Sequence, residues 1–92
     1  MSKYETWHEV KKELRISKEQ EAEIKLEEEL IEATIAARNK RQLTQRELSK
    51  RTSIPQSTIA RIESGLVSPK IQTLNKLLIA MWYRLKIVEM DK

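Results

Sequence analysis

The stretch LTQRELSKRTSIPQSTIARIESG, residues 43–65, decides the fold of this 92-residue chain. Thr44 is a good N-cap, and it predicts a short helix over about 45–51 whose apolar residue is Leu48. Residues 52–54 are predicted to form a tight turn. The helical pattern resumes directly after that turn.

A second short helix is therefore expected. Pro55 fits its first position, where the missing N–H is not needed, and Gly65 fits the left-handed cap that ends it. Ile59 and Ile62 are expected to face the core. Two short helices joined by a turn of about three residues have the spacing of a helix-turn-helix, the motif whose second helix enters the major groove of DNA.

The start of the second helix carries the side chains expected to read bases. Major-groove recognition needs small polar residues there, and Gln56, Ser57 and Thr58 occupy those positions. The Gln56 amide suits adenine, and Arg61, one turn further on, is expected to contact guanine or a phosphate. Gln45 begins the first helix, where backbone amides and the helix dipole favour a phosphate oxygen. The residues predicted to contact DNA are Gln45, Arg46, Gln56, Ser57, Thr58, Arg61 and Lys70.

Helical patterns also precede this motif. Thr6 begins a Thr-x-x-Glu capping box and predicts a short amphipathic helix over about 7–15. Ser17 begins the same type of pattern and predicts a longer helix over about 18–41, either continuous or bent near Glu27.

A last helix and a strand are expected after the motif. Ser68 is its predicted N-cap, Pro69 lies in its first turn, and it ends near Met81. Its predicted apolar face consists of Ile71, Leu74, Leu77, Leu78 and Met81. Residues 83–87 then alternate apolar and basic side chains, which predicts a half-buried strand. A single strand has no ladder partner, so it needs a second chain or a partner's sheet.

The composition excludes several classes of protein. A single glycine rules out glycine-rich phosphate loops, and the lack of cysteine rules out disulfides and thiolate metal sites. One histidine and no convincing carboxylate pair argue against an enzyme, so neither a metal nor another cofactor is expected. No segment has the apolar length of a signal peptide or membrane span. We therefore expect a soluble, cytoplasmic protein without a membrane or small-molecule partner.

Charge is divided unequally along the chain. Residues 1–32 hold six basic and ten acidic side chains, whereas residues 33–92 hold twelve basic and four acidic ones. A polyanion is the expected partner of the later part, and a basic protein that of the earlier part. A solvated charged surface is the alternative explanation for either part.

The central motif resembles that of the Cro/cI repressor superfamily, also called XRE. The pattern of that superfamily is matched by Leu43-Thr44-Gln45, Glu47-Leu48, Ser57-Thr58-Ile59 and Arg61-Ile62-Glu63-x-Gly65. The resemblance covers about residues 30–81 and implies a structural pair between Arg38 and Glu63. Ser53 and Gln42 stand where the superfamily usually has glycine, so a positive φ at Ser53 would be strained.

Within that superfamily the whole chain resembles HigA-type antitoxins. The resemblance rests on Tyr4-x-x-Trp7-x-x-Val10-Lys11 and on the tail Tyr83-Arg84-Leu85-Lys86-Ile87, preceded by Trp82 where relatives often have glycine. It implies a homodimer that binds its own operator and neutralises a basic RelE/HigB-like ribonuclease toxin. The candidate toxin contacts are Trp7, Val10 and Leu14, and the candidate dimer interface is Trp82, Tyr83, Leu85 and Ile87. Packing within the chain's own domain is the alternative for both sets.

The sequence thus predicts an all-α fold of five or six helices with one C-terminal strand. Residues 1–28 are assigned to a helical arm for toxin binding, 29–81 to the helix-turn-helix domain and 82–92 to a strand for dimerisation. The predicted function is that of an antitoxin and sequence-specific, double-stranded-DNA-binding repressor. A stand-alone or phage-type regulator without a toxin is the alternative. A pure interaction module would leave the polar start of the reading helix unexplained.

Overall fold

A computed structural model describes residues 17–91, and four α-helices form the regular structure of that part of the chain. The helices are α1 (Lys18–Lys40), α2 (Gln45–Thr52), α3 (Gln56–Glu63) and α4 (Ile71–Ala80). The prediction of five or six helices is therefore not supported. The helix expected at 7–15 lies outside the described residues, as do the candidate toxin contacts Trp7, Val10 and Leu14.

Helix α1 is one continuous helix, so the bend considered near Glu27 does not form. It begins at the predicted capping box: the Ser17 hydroxyl accepts from the N–H of Gln20 at 3.2 Å, and the Gln20 side chain accepts from the N–H of Ser17 at 2.9 Å. Two donors that lack helical partners are thereby satisfied. The buried residues of α1, Thr34 and Ala37, both lie in its C-terminal half.

Helix α2 begins at Thr44, as predicted, and is stabilised by a second capping box. The Thr44 hydroxyl accepts from the N–H of Glu47 at 3.1 Å, and the Glu47 carboxylate accepts from the N–H of Thr44 at 3.0 Å. Ser53 is the C-cap of the helix, and its φ of 61° lies in the left-handed region, where a residue other than glycine is strained. Thr52, predicted in the turn, is the last helical residue, and its hydroxyl donates to the carbonyl of Leu48 at 2.8 Å.

The starts of α3 and α4 differ from the predictions. Pro55 is the N-cap of α3 rather than its first helical residue, and its backbone is not helical. The predicted cap at Ser68 is wrong, because α4 begins only after Lys70. The Ser68 hydroxyl donates to the carboxylate of Glu27 on α1 at 2.7 Å, so this side chain makes a tertiary contact.

The core lies where the four helices meet, because α1 and α2 each pack against both α3 and α4. The buried apolar cluster consists of Ala37, Leu43, Leu48, Ile54, Ile59, Ile62, Leu77, Leu78 and Met81. Leu48, Ile59 and Ile62 are thus buried, as the pattern of the central motif predicted. Ile71, which was assigned to the inner face of α4, is 66% exposed, so that assignment is wrong.

No strand forms within residues 17–91, and the strand predicted at 83–87 is not present. No neighbouring extended segment offers it a ladder of hydrogen bonds there. The side chains alternate as far as Lys86: Tyr83 and Leu85 pack against the core, whereas Arg84 and Lys86 are exposed. Ile87 departs from this pattern, because it is 98% exposed.

The length and apolar character of the described helices can be compared with those of a membrane-spanning helix. None of them, within residues 17–91, combines the length and apolar character that crossing a bilayer requires.

Candidate nucleic-acid interface

Helix α3 has one face in the core and the opposite face in solvent. Ile59 and Ile62 are buried, and this fixes the rotation of the helix about its own axis. Gln56, Ser57 and Arg61 are consequently exposed, and Thr58 is half-buried. Ser57 and Arg61 are four residues apart and lie one turn above each other on the same face. The predicted reading residues therefore share one accessible surface.

The start of α3 is open to an anion. Its N-cap, Pro55, makes no side-chain cap hydrogen bond, and the same is true of Lys70 at the start of α4. The first N–H groups of a helix have no partner inside the helix and carry the positive end of its dipole. Both starts are therefore suited to a phosphate oxygen. Helices α1 and α2, in contrast, have side-chain caps.

A bidentate ion pair fixes the far end of α3. Arg38 on α1 donates from Nε and Nη2 to the two carboxylate oxygens of Glu63, at 2.8 and 2.7 Å. Its Nη1 also donates to the carbonyl of Leu43 at 2.8 Å, in the loop between α1 and α2. The hydrogen bond to Glu63 raises the pKa of Arg38 above its ordinary value, so the guanidinium stays charged. One side chain thus joins three segments of the motif.

Gln45 belongs to the same network. Its Nε2 donates to the carboxylate of Glu63 at 3.2 Å, and the side chain is half-buried. The hydrogen bond that the backbone N–H of Thr44 donates to the Glu47 carboxylate is the main cause that lowers the pKa of Glu47, which keeps a negative charge at the start of α2. The negative charge of Glu47 would repel a phosphate oxygen at the start of α2. The open starts of α3 and α4 are better placed for a phosphate than the start of α2.

The exposed charged side chains of α2–α4 are mainly basic. On the described helices α2–α4 the exposed basic side chains are Arg46, Lys50, Arg51, Arg61 and Lys76, with Lys70 at the N-cap of α4. Glu47 is the one exposed acid of these three helices, since the charge of Glu63 is compensated by Arg38. Such a surface attracts a polyanion and releases its counterions.

Arg41 makes two contacts that the sequence did not predict. Its Nε donates to the carbonyl of Met81 at 3.0 Å, and its guanidinium lies 5.2 Å from the centroid of the Tyr83 ring. Arg41 thereby joins the end of α1 to the residues that directly follow α4. The only signal in the sequence was a cation and an aromatic residue 42 positions apart, which no local pattern relates.

Left-handed residues follow all four described helices. Gln42, Ser53 and Trp82 have φ values of 55°, 61° and 65°, and Gly65 has 76°. Gly65 adopts this conformation without cost, but side chains at the other three positions crowd the backbone. Residues with Cβ atoms therefore occupy three of the four helix-ending turns.

The chain is similar to known helix-turn-helix proteins. Residues 35–81 match a family model described as HTH_3, helix-turn-helix. An uncharacterized HTH-type transcriptional regulator of Haemophilus influenzae is 33% identical over 82 residues, which cover 89% of this chain and 83% of that protein. A chain of a solved structure, a toxin–antitoxin module from Streptococcus pneumoniae, is similar with a TM-score of 0.65 and 31% identity, covering 95% of this chain and 96% of that one.

Proposed function

Because the chain belongs to the HTH_3 helix-turn-helix family of transcriptional regulators, we propose that it is a sequence-specific repressor that reads DNA with α3. The observation that carries this proposal is the orientation of α3. Its buried residues Ile59 and Ile62 hold Gln56, Ser57 and Arg61 outward, at the end of the helix that enters a major groove. Families of this kind are typically not enzymes.

Two kinds of contact are proposed to contribute to binding. Contacts to the phosphates supply sequence-independent affinity, and contacts to the base edges supply specificity. Lysine and arginine side chains neutralise phosphates and release counterions, so affinity falls steeply with salt. The open starts of α3 and α4 fix the register on the phosphate backbone. Gln56 then offers a donor and an acceptor to adenine, and Arg61 offers two donors to guanine.

We further propose that the protein is an antitoxin that neutralises a basic RelE/HigB-like ribonuclease toxin. Two observations support this. The similarity to a chain of a toxin–antitoxin module extends over 95% of the chain, well beyond the helix-turn-helix. Residues 18–32 of α1 also hold seven acidic and two basic side chains, a surface complementary to a basic protein. Residues 1–28 are the proposed binding arm, with Trp7, Val10 and Leu14 as its apolar contacts.

The alternative is a regulator without a toxin. The Haemophilus influenzae relative is named only as a transcriptional regulator. Capture of a basic ribonuclease toxin by the purified chain separates the two functions, because a stand-alone regulator would retain operator binding and capture none.

The protein is proposed to act as a homodimer, since two reading helices bind a two-fold symmetric operator. Of the residues predicted at the dimer interface, Trp82 and Ile87 are 88% and 98% exposed, so both are accessible to a second copy. Tyr83 and Leu85 pack on the chain's own core, and their contribution is to hold the tail in place.

The direct test is selection from a pool of random duplexes with the full chain. We expect enrichment of a palindrome whose half-sites lie about 10 base pairs apart, one helical turn. No enrichment of any sequence, even at low salt, would contradict sequence-specific binding.

A further inference from the structure

The turn that ends α3 brings Leu66 back beside the last turn of the helix. The N–H of Leu66 donates to the carbonyl of Arg61 at 3.1 Å, and the N–H of Gly65 donates to the carbonyl of Ile62 at 3.1 Å. The Ser64 hydroxyl donates to the same carbonyl of Arg61 at 3.0 Å. With the left-handed φ of 76° at Gly65, the two backbone hydrogen bonds form a Schellman motif.

A Schellman motif is frequently accompanied by an apolar contact. The contact joins the residue after the left-handed one to the helical residue whose carbonyl accepts its N–H, and in this turn these are Leu66 and Arg61. Leu66 is 53% exposed, so about half of its side chain is covered. The methylene groups of an arginine form an apolar stem behind its charged end. The stem of Arg61 is therefore the apolar surface that this motif offers to Leu66.

Arg61 differs from Arg38 and Arg41 in how its side chain is held. The guanidinium of Arg38 donates three hydrogen bonds, and that of Arg41 donates one and lies against the Tyr83 ring. Among residues 17–91 no hydrogen bond or ion pair holds the guanidinium of Arg61. An arginine side chain has many conformations, and ordering it on binding costs affinity. A contact along its stem would restrict these conformations before DNA binds.

We propose that Leu66 packs along the methylene stem of Arg61 and positions its guanidinium for guanine. Side chains of a helix point towards its N-terminus, so Arg61 extends towards Ser57 and the end of α3 that enters the groove. Leu66 lies on the C-terminal side and blocks the conformations that fold back over the turn. The guanidinium is thereby ordered before it contacts a base, and less affinity is lost on binding. This inference rests on the proposed function and adds a positioning residue to it.

A direct contact of Leu66 with DNA is the other explanation for an exposed apolar residue at this place, since apolar side chains contact the methyl group of thymine. The two explanations differ in their dependence on Arg61. A positioning residue acts only while Arg61 is present, whereas a direct contact is independent of it. A double-mutant cycle with Leu66→Ala and Arg61→Ala separates them.

The cycle is measured with the full chain and two duplexes. The first is the selected operator, and in the second the base pair at which Arg61→Ala loses its preference is replaced. Leu66→Ala should lower the ratio of the two affinities about fivefold, less than Arg61→Ala does, because Arg61 is ordered only when it contacts guanine. Its affinity for the second duplex should equal that of wild type. In the presence of Arg61→Ala, Leu66→Ala should change neither affinity.

Two further variants control for structure. Leu66→Met keeps an apolar side chain of similar volume and should retain the ratio of wild type within about twofold. Val67→Ala shortens the next side chain, which is 40% exposed and outside the motif, and should leave the ratio unchanged. Partial unfolding of a variant lowers both affinities by the same factor. The ratio therefore reports base preference and not the stability of the fold.

Three outcomes overturn the inference. Leu66→Ala keeps the wild-type ratio, it lowers both affinities equally, or it lowers the ratio equally when Arg61→Ala is present. In each of these cases Arg61→Ala still shows its own loss of preference, so base reading by α3 stands. Wild-type preference of Arg61→Ala at every base pair would instead contradict the proposed contact between Arg61 and guanine, and the inference with it.

Discussion

Arg38 and Glu63 lie 25 positions apart in the sequence and form a bidentate ion pair with N···O distances of 2.7 and 2.8 Å. The side chains are 15% and 7% exposed, so most of the solvent around both charges has been removed. The pair joins α1 to the C-terminal end of the reading helix.

Glu63→Gln should therefore destabilise the fold, because it leaves the buried charge of Arg38 without its partner. We expect a loss of about 3 kcal/mol in the free energy of unfolding, measured in urea. Glu32→Gln, on the exposed side of α1, is the control and should change the free energy by less than about 0.5 kcal/mol. Equal effects of the two variants would show that the ion pair does not hold α3.

The capping box of α2 predicts a pH dependence. Thr44 lowers the pKa of Glu47 in the folded state, so the charged carboxylate stabilises the fold above the pKa of the unfolded chain. That contribution is lost as the pH falls through the lowered folded value. Glu47→Gln keeps a cap acceptor without the charge. The melting temperatures of wild type and Glu47→Gln should differ at pH 7 and converge in acid, and a difference that is constant with pH would contradict this linkage.

The strained turns predict a stabilising substitution. Ser53→Gly should raise the free energy of unfolding by about 0.5–1 kcal/mol, because glycine adopts the positive φ of 61° without crowding. Ser64→Gly is the matched control, since Ser64 has a φ of −83° and gains nothing. Thermal unfolding that shows the same sign for both would indicate that Ser53 is not strained.

The antitoxin proposal predicts that two functions can be separated. Deletion of residues 1–28 should abolish co-purification with a RelE/HigB-like toxin and leave operator affinity within about threefold, because α2, α3 and the buried half of α1 remain. Full-strength capture of the toxin by the truncated chain would place its binding site elsewhere.

Local signals in the sequence were sufficient for most of the helices. The caps at Ser17 and Thr44 depend on residues three positions away, so the starts of α1 and α2 were predicted correctly. The cap at Ser68 failed because the helix begins two residues later than the pattern indicated, after Lys70. The Ser68 side chain contacts Glu27, 41 positions distant, and local pattern carries no information about such a contact.

Burial was harder to predict where an apolar pattern is wide. Ile71 was assigned to the inner side of α4 because its spacing from Leu74 and Leu78 suits one helix face. The core covers only part of that stripe, and Ile71 is left in solvent. The strand at 83–87 failed for a related reason, since a ladder depends on a partner that alternation along one chain does not supply.

The most direct test of base reading by α3 compares the affinity of the protein for its selected operator with its affinity for random duplex. The variant is Gln56→Ala combined with Arg61→Ala, and Lys70→Ala is the control for a phosphate contact. We predict that the double variant reduces the ratio of the two affinities by at least about tenfold, at roughly 1–3 kcal/mol for each lost bidentate contact. Lys70→Ala should weaken both affinities equally. An unchanged ratio in the double variant would contradict the assignment of α3 as the helix that reads DNA.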